Sequence, residues 1–175
     1  MPDRDVTLRT PRLFLRPTQA GDAARFFEIQ SDWNVTRMLR LAPWPASLEA
    51  MAAWLSEHPR EWAEGSAFRF AVELDGRVVG CADVDEIGEG GGDLGYWFEQ
   101  AAWGKGLARE AASALIAFGF ERLGLDRLTA GHAADNPASG RVLTSLGFRW
   151  IADGDKPSRS RGETIPYRFY RLDRN

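Results

Sequence analysis

The chain has 175 residues, the length of one ordinary domain, and its 44% hydrophobic and 27% charged residues exclude a disordered chain and a disulfide-dense scaffold. Basic residues number 22 against 25 acidic ones, a net charge of -3, so the global balance favours neither nucleic acid nor an anionic membrane surface as a partner. Cys81 is the single cysteine, which removes intrachain disulfides and thiolate zinc clusters; with no apolar core in the N-terminal segment and no apolar run near the roughly eighteen residues of a membrane span, the expectation is a cytoplasmic protein without a metal.

Leu13 and Leu15 alternate in a short strand over 13–17, and Ala23, Phe26, Phe27 and Ile29 mark a following helix. Residues 33–45 are irregular, a stretch suited to covering a pocket. Ser47 caps a helix carrying Leu48, Met51 and Leu55, expected to stop at Pro59 because proline lacks the amide that a helix interior uses. Phe68, Phe70 and Val72 alternate with polar neighbours up to Asp75-Gly76, a hairpin signal, and the strand returns over 78–85. The four glycines within 87–92 read as a flexible connection into a strand over 93–98. Leu107, Ala111, Leu115 and Phe118 share one face of a helix over 105–123, stopped by Gly124.

A short strand follows over 128–132, and Asn136-Pro137 opens a helix through Val142, Leu143 and Leu146 that ends at Gly147. Strands over 148–151 and 167–172 flank a polar loop at 153–162. Three strands in sequence before the long helix favour an α/β (α+β) domain, spanning 1–175, with a mixed and mostly antiparallel sheet rather than a doubly wound one. No third glycine completes a Rossmann fingerprint after Gly104 and Gly106, and no P-loop pairing of Gly-Lys with Ser or Thr is present.

Two segments carry chemistry. Trp103-Gly104-Lys105-Gly106-Leu107-Ala108 follows a strand and opens a helix, so its glycines let successive amides approach an anion where the helix dipole favours phosphate. Spacing alone equally allows a glycine-rich turn that binds nothing. The second segment runs from Asn136-Pro137-Ala138-Ser139 to Gly147-Phe148. Together with Thr10-Pro11-Arg12-Leu13-Phe14-Leu15-Arg16-Pro17, the two segments resemble the GNAT superfamily of acetyl-CoA-dependent N-acetyltransferases, and more closely its RimJ/RimL-type branch. The resemblance covers about residues 10–148 and implies a central sheet flanked by helices, with strands splayed at the coenzyme A site.

The resemblance implies that amides from Gly104 through Lys105, Gly106 and Leu107 to Ala108 hold the CoA diphosphate, with Lys105 adding charge; Trp103 stands where the superfamily places Gln or Arg, a departure common in this branch. The splayed strand's backbone groups, which pair with pantetheine in the family, map to Trp97, Phe98 and Glu99. Asn136 matches the asparagine that contacts the CoA arm, and Asn before Pro is also an ordinary N-cap. The position of the family's proton-donating tyrosine is Leu143 here, so the branch's serine, Ser139, becomes the thiolate partner, with a solvated helix serine as its plainer reading.

The acceptor amine must lose a proton, so a carboxylate, a histidine or an ordered water is needed within reach. Asp93 is the first choice of base, Asp85, Glu86, His132 and water the alternatives; His132 also reads as a hydrogen-bonded structural histidine, and Cys81 as a small core residue. Trp33 and Trp44 are candidates for an aromatic wall of the acceptor cleft, and Asp83, Asp85, Glu86, Glu89 and Asp93 near its mouth would favour a cationic acceptor. The implied activity is acetyl transfer from acetyl-CoA, a cosubstrate, to a primary amine by direct attack in a ternary complex, the acceptor being a protein N-terminus or a small molecule. An aminoglycoside-type acetyltransferase and a non-catalytic acyl-CoA-binding module are the competing readings. No nucleic acid or membrane partner is expected, and a homodimer is compatible.

Overall fold

Alternation at 68–74 produces a strand because Phe68, Phe70 and Val72 can bury one face while Ala71 buries the other. In the computed structural model, which describes residues 2–174, this strand is the third of an eight-stranded sheet. The strands are β1 (Leu8–Arg9), β2 (Leu13–Pro17), β3 (Phe68–Leu74), β4 (Arg77–Gly88), β5 (Gly91–Phe98), β6 (Arg127–Ala133), β7 (Arg149–Ser158) and β8 (Glu163–Asp173). The helices are α1 (Ala23–Gln30), α2 (Trp33–Thr36), α3 (Leu48–Glu64), α4 (Leu107–Ala117) and α5 (Pro137–Ser145). Spatial order is β1-β2-β3-β4-β5-β6-β8-β7, antiparallel throughout except for β5 and β6, whose parallel pairing requires the crossover that α4 supplies. The α+β class and the mixed, mostly antiparallel sheet follow the sequence expectation. Met1 and Asn175, the ends of the expected domain, lie outside the described residues.

Each face of the sheet has its own core. Phe68, Phe70, Val84, Leu94 and Leu128 pack with Leu107, Ala111, Leu115 and Phe118, which seats α4 on one face. On the other face Ala71 and Cys81 pack with Phe26 of α1 and with Met51 and Leu55 of α3. Cys81 is a buried core residue whose thiol burial pushes well up, which keeps it un-ionised and inert. No helix among the described residues is long and apolar enough to cross a membrane.

Several elements differ from the sequence reading. Helix α3 continues through Pro59 to Glu64 and stops at Gly65, because Trp62 is buried against the rings of Phe68 and Phe70, with centroids 4.8 and 5.4 Å away. That packing outweighs the amide hydrogen bond which proline cannot make. The glycine-rich stretch is the end of a hairpin: Glu89 and Gly90, at φ +47° and +76°, form the turn, while Gly88, Gly91 and Gly92 lie in paired strands. At Gly92 a Cβ would come within 2.8 Å of the Val84 side chain, so glycine there serves close packing. The polar loop expected at 153–162 is mostly β7, recruited by the aromatic and β-branched β8, with Lys156 lying 5.5 Å from the Phe169 ring centroid. Helix α4 is also shorter than expected, giving way to a π-helical turn at Phe118–Arg122.

Candidate active site

Strands β5 and β6 pair only over 91–93 against 127–129 and then separate. Beyond Asp93, β5 keeps its partner β4 while its other edge is free of β6, the divergence the resemblance implied. The gap opens into a cleft of about 380 Å³, walled on the helical side by residues including Phe27, Met51 and Trp54 and crossed by Asp93, Tyr96, Trp97 and Ser139.

Strand alternation divides the chemistry between the two faces. Asp85 and Asp93 are register partners, as are Asp83 and Gly95, and Cys81 and Trp97; these residues share the α1–α3 face. Arg69 enters from β3 and takes Glu61 at 2.7 Å, Asp83 at 2.9 Å and Asp85 at 3.0 Å, so one guanidinium faces three carboxylates and the local balance is negative. Gly95 makes the arrangement possible, since a Cβ there would sit 2.5 Å from Asp83 Oδ1. Burial and the charge of Asp85 raise the Asp83 pKa, against the opposing pull of Arg69. Asp93 accepts from the Thr129 hydroxyl at 2.7 Å, yet burial, together with the charges of Asp85 and Glu86, pushes it up to about 6.

On the opposite face, Tyr96 lies beside Leu94 and Phe98, and its hydroxyl reaches Ser139 Oγ at 2.8 Å. Burial pushes this phenol up to about 12, so it keeps its proton at neutral pH. Asn136 caps α5, its Oδ1 accepting from the Ser139 amide at 3.3 Å, which is the plainer of its two readings. Leu143 is buried at the lining of the cleft.

The glycine-rich segment sits where β5 hands over to α4. Gly104 and Gly106 have φ of +73° and +76°, the left-handed region glycine occupies without strain, and Gly106 is the N-cap of α4. Among the described residues, the amides of Gly104, Lys105, Gly106, Leu107 and Ala108 donate to no protein acceptor, which leaves a row of donors at a helix N-terminus. A brace holds this loop in shape. Arg12 donates to the Lys105 carbonyl at 2.8 Å and pairs with Glu110 at 2.6 Å, while Thr10 Oγ1 donates to Glu110 at 2.5 Å. Although burial opposes it, these partners hold Glu110 below its ordinary pKa. The Thr10-Pro11-Arg12 segment of the sequence is therefore the strut of the loop.

The side chains of several other expected residues are engaged within the fold. The Trp103 indole donates to the Phe98 carbonyl at 2.9 Å, tying the loop to the end of β5, and the Glu99 carboxylate is occupied by Arg25 and Arg77. His132 does not line the cleft: Nδ1 lies 2.7 Å from the Ala133 carbonyl and Nε2 3.3 Å from the Tyr170 hydroxyl, a structural setting. Trp33 and Trp44 pack on each other at the surface, ring centroids 4.9 Å apart, and Trp54 and Trp97 line the cleft in their place. Glu86 lines the cleft from a residue at φ +48°. Sequence reasoning missed Tyr96, Arg69 and the Arg12–Glu110 brace; for Tyr96 the signal was the alternation that puts it on the face of the later helix.

A sequence profile of the acetyltransferase (GNAT) domain matches residues 12–149, most of the chain. The chain belongs to the GNAT acetyltransferase family. This GNAT enzyme is 33% identical over 150 residues to the uncharacterized N-acetyltransferase p20 of Bacillus licheniformis, covering 82% of each chain. It is 28% identical over 158 residues to the ribosomal protein uS5-alanine N-acetyltransferase of Escherichia coli (strain K12), covering 82% of this chain and 78% of that one. Its fold matches that of a RimL alpha-N-protein acetyltransferase in complex with coenzyme A, with a TM-score of 0.85 at 17% identity over 96% of this chain and 98% of that one. It also matches Mycobacterium smegmatis RimJ in complex with CoA-disulfide, with a TM-score of 0.83 at 22% identity over 96% and 86% of the two chains. The GNAT assignment and the RimJ/RimL-type resemblance hold, and the chain is an acyltransferase.

Proposed function

We propose that this GNAT enzyme carries the acetyl group of acetyl-CoA directly to a primary amine, a protein N-terminus or a small-molecule amine, within a ternary complex. The observation that carries the reading is the meeting, in one cleft between splayed strands, of a carboxylate poised near neutrality and a hydroxyl pair. The row of amides from Gly104 to Ala108 is the diphosphate seat, with Lys105 beside it, and the free edge of β5 through Trp97, Phe98 and Glu99 is the track for the pantetheine arm.

Asp93, ionised above about pH 6, takes the amine proton directly or through one water while nitrogen attacks the thioester carbonyl. As the C–S bond breaks and its electron pair moves to sulfur, the Ser139 hydroxyl meets the departing thiolate. Proton acceptor and hydroxyl donor approach the gap from opposite faces of β5, which keeps them from quenching each other. Three carboxylates around Arg69, with Asp93 beyond them, favour a cationic acceptor. The E. coli relative named for uS5-alanine acetylation supports a protein N-terminal amine among the acceptors.

Initial-velocity kinetics test the direct route. Varying acetyl-CoA at several fixed amine concentrations is expected to give intersecting double-reciprocal lines. Parallel lines with an isolable acetyl-enzyme would contradict it.

A further inference from the structure

We infer that Tyr96 is a positioning residue that fixes the direction of the Ser139 hydroxyl, donating its own proton to Ser139 Oγ so that the single serine proton points at the departing sulfur. The inference rests on the role given to Ser139 above and adds to it the residue through which that role is exercised.

A helical serine or threonine hydroxyl ordinarily turns back onto a carbonyl three or four residues earlier. In α5 itself, Ser145 does so onto Val142 at 2.7 Å and Thr144 onto Gly140 at 2.9 Å. Ser139, on the same helix, instead reaches across the gap to Tyr96 on β5 at 2.8 Å. Either hydroxyl of the pair can donate, and the phenol as donor is part of the inference. The Tyr96 oxygen also lies 3.4 Å from the Ser139 carbonyl, too long for an ordinary O–H···O bond, so the single phenol hydrogen is assigned to the nearer Ser139 Oγ at 2.8 Å. With the phenol donating, the serine hydrogen is left for another acceptor. Were the serine to donate instead, its one proton would be spent on Tyr96 and none would face the sulfur. The backbone of Ser139 is held in place by Asn136 Oδ1, which accepts from its amide at 3.3 Å. The high pKa of the buried phenol fits a group that orients without itself giving up a proton. No bond to Tyr96 is made or broken: the amine proton still goes to Asp93, and the C–S electron pair still goes to sulfur.

The test is a double-mutant cycle of Tyr96→Phe, Ser139→Ala and the pair, read by single-turnover acetyl transfer with melting temperatures alongside. Phe keeps the ring packing and removes only the hydroxyl. Tyr96→Phe is expected to slow transfer roughly tenfold, the value of one well-placed hydrogen bond, with acetyl-CoA affinity and melting temperature little changed. The double variant is expected to be no slower than Ser139→Ala alone, because Tyr96 acts only through the serine. Full-rate transfer by Tyr96→Phe with a slow Ser139→Ala, or losses that multiply in the double variant, would overturn this inference and leave the role of Ser139 standing. A full-rate Ser139→Ala would overturn both.

Discussion

Asp93 has two properties set by one environment. Its carboxyl is half-buried and within the influence of the Asp85 and Glu86 charges, so its pKa stands at about 6, above the ordinary 3.8, despite the Thr129 hydrogen bond. In the proposed role of base it must be ionised, so kcat/KM is expected to fall roughly tenfold per pH unit below about pH 6, and Asp93→Asn is expected to slow the reaction and flatten that limb. A carboxylate that merely attracted a cationic amine would instead raise KM in a salt-sensitive way. The same shift has a consequence for stability. The native state holds this proton more tightly than the unfolded chain does, so ionisation costs the fold increasingly as pH rises from the ordinary carboxylate range through about 6, and in full above it. Asp93→Asn is therefore expected to be more stable than the parent at pH 7, by on the order of 2 kcal/mol, with the gain vanishing below about pH 4. Chemical denaturation at the two pH values checks this. The place of Asp93 in the cleft was legible in the sequence because it lies on the strand that leads to the loop. Arg69 was not, since only the register of β3 on β4 brings it to Asp83, and Tyr96 was passed over as a strand residue because its partner Ser139 lies 43 positions away.

The strand-to-helix loop and its strut act as one element. Gly104 has open space around a hypothetical Cβ, with nothing within 4 Å, but its φ of +73° disfavours any side chain. Gly104→Ala is expected to cost about 1 kcal/mol of stability through that backbone strain and to weaken acetyl-CoA binding by clearly more, since the amides would no longer point at one anion. Calorimetric titration beside a melting curve separates the two effects; a variant that binds normally would place the diphosphate elsewhere. Elements whose rules are local were read correctly, as with the Asp75-Gly76 hairpin, where both residues have positive φ, and α5, with Asn136 as N-cap and Pro137 at its start. Those decided by tertiary partners were misread. Trp62 carries α3 past Pro59, and β8 pulls the polar residues of β7 into register, neither of which a short window reveals.

At the scale of the molecule, the proposed function rests on one local failure of sheet pairing. Six of the eight strands meet their sheet neighbours only in antiparallel pairs, β5 and β6 share the single parallel contact at 91–93, and the cleft begins where that contact ends. The order of β2 to β5 before the long helix was legible, because hairpin signals and helix stops punctuate the chain, whereas the two-residue β1 was missed. The depth of the cleft was not legible, because residues on β3, β4, β5 and α5 must first be brought together, although Asp83, Asp85, Glu86 and Asp93 of its lining had been expected near the mouth. The central claim is acetyl transfer, and the most direct measurement is release of free CoA thiol from acetyl-CoA on adding primary amines, including peptides with free N-terminal alanine or serine, with the acetylated amine identified by mass spectrometry. Thiol release that depends on the amine, saturates and matches the acetylated product mole for mole is the predicted result; saturable acetyl-CoA binding with no acetylated amine from any member of the panel would contradict it.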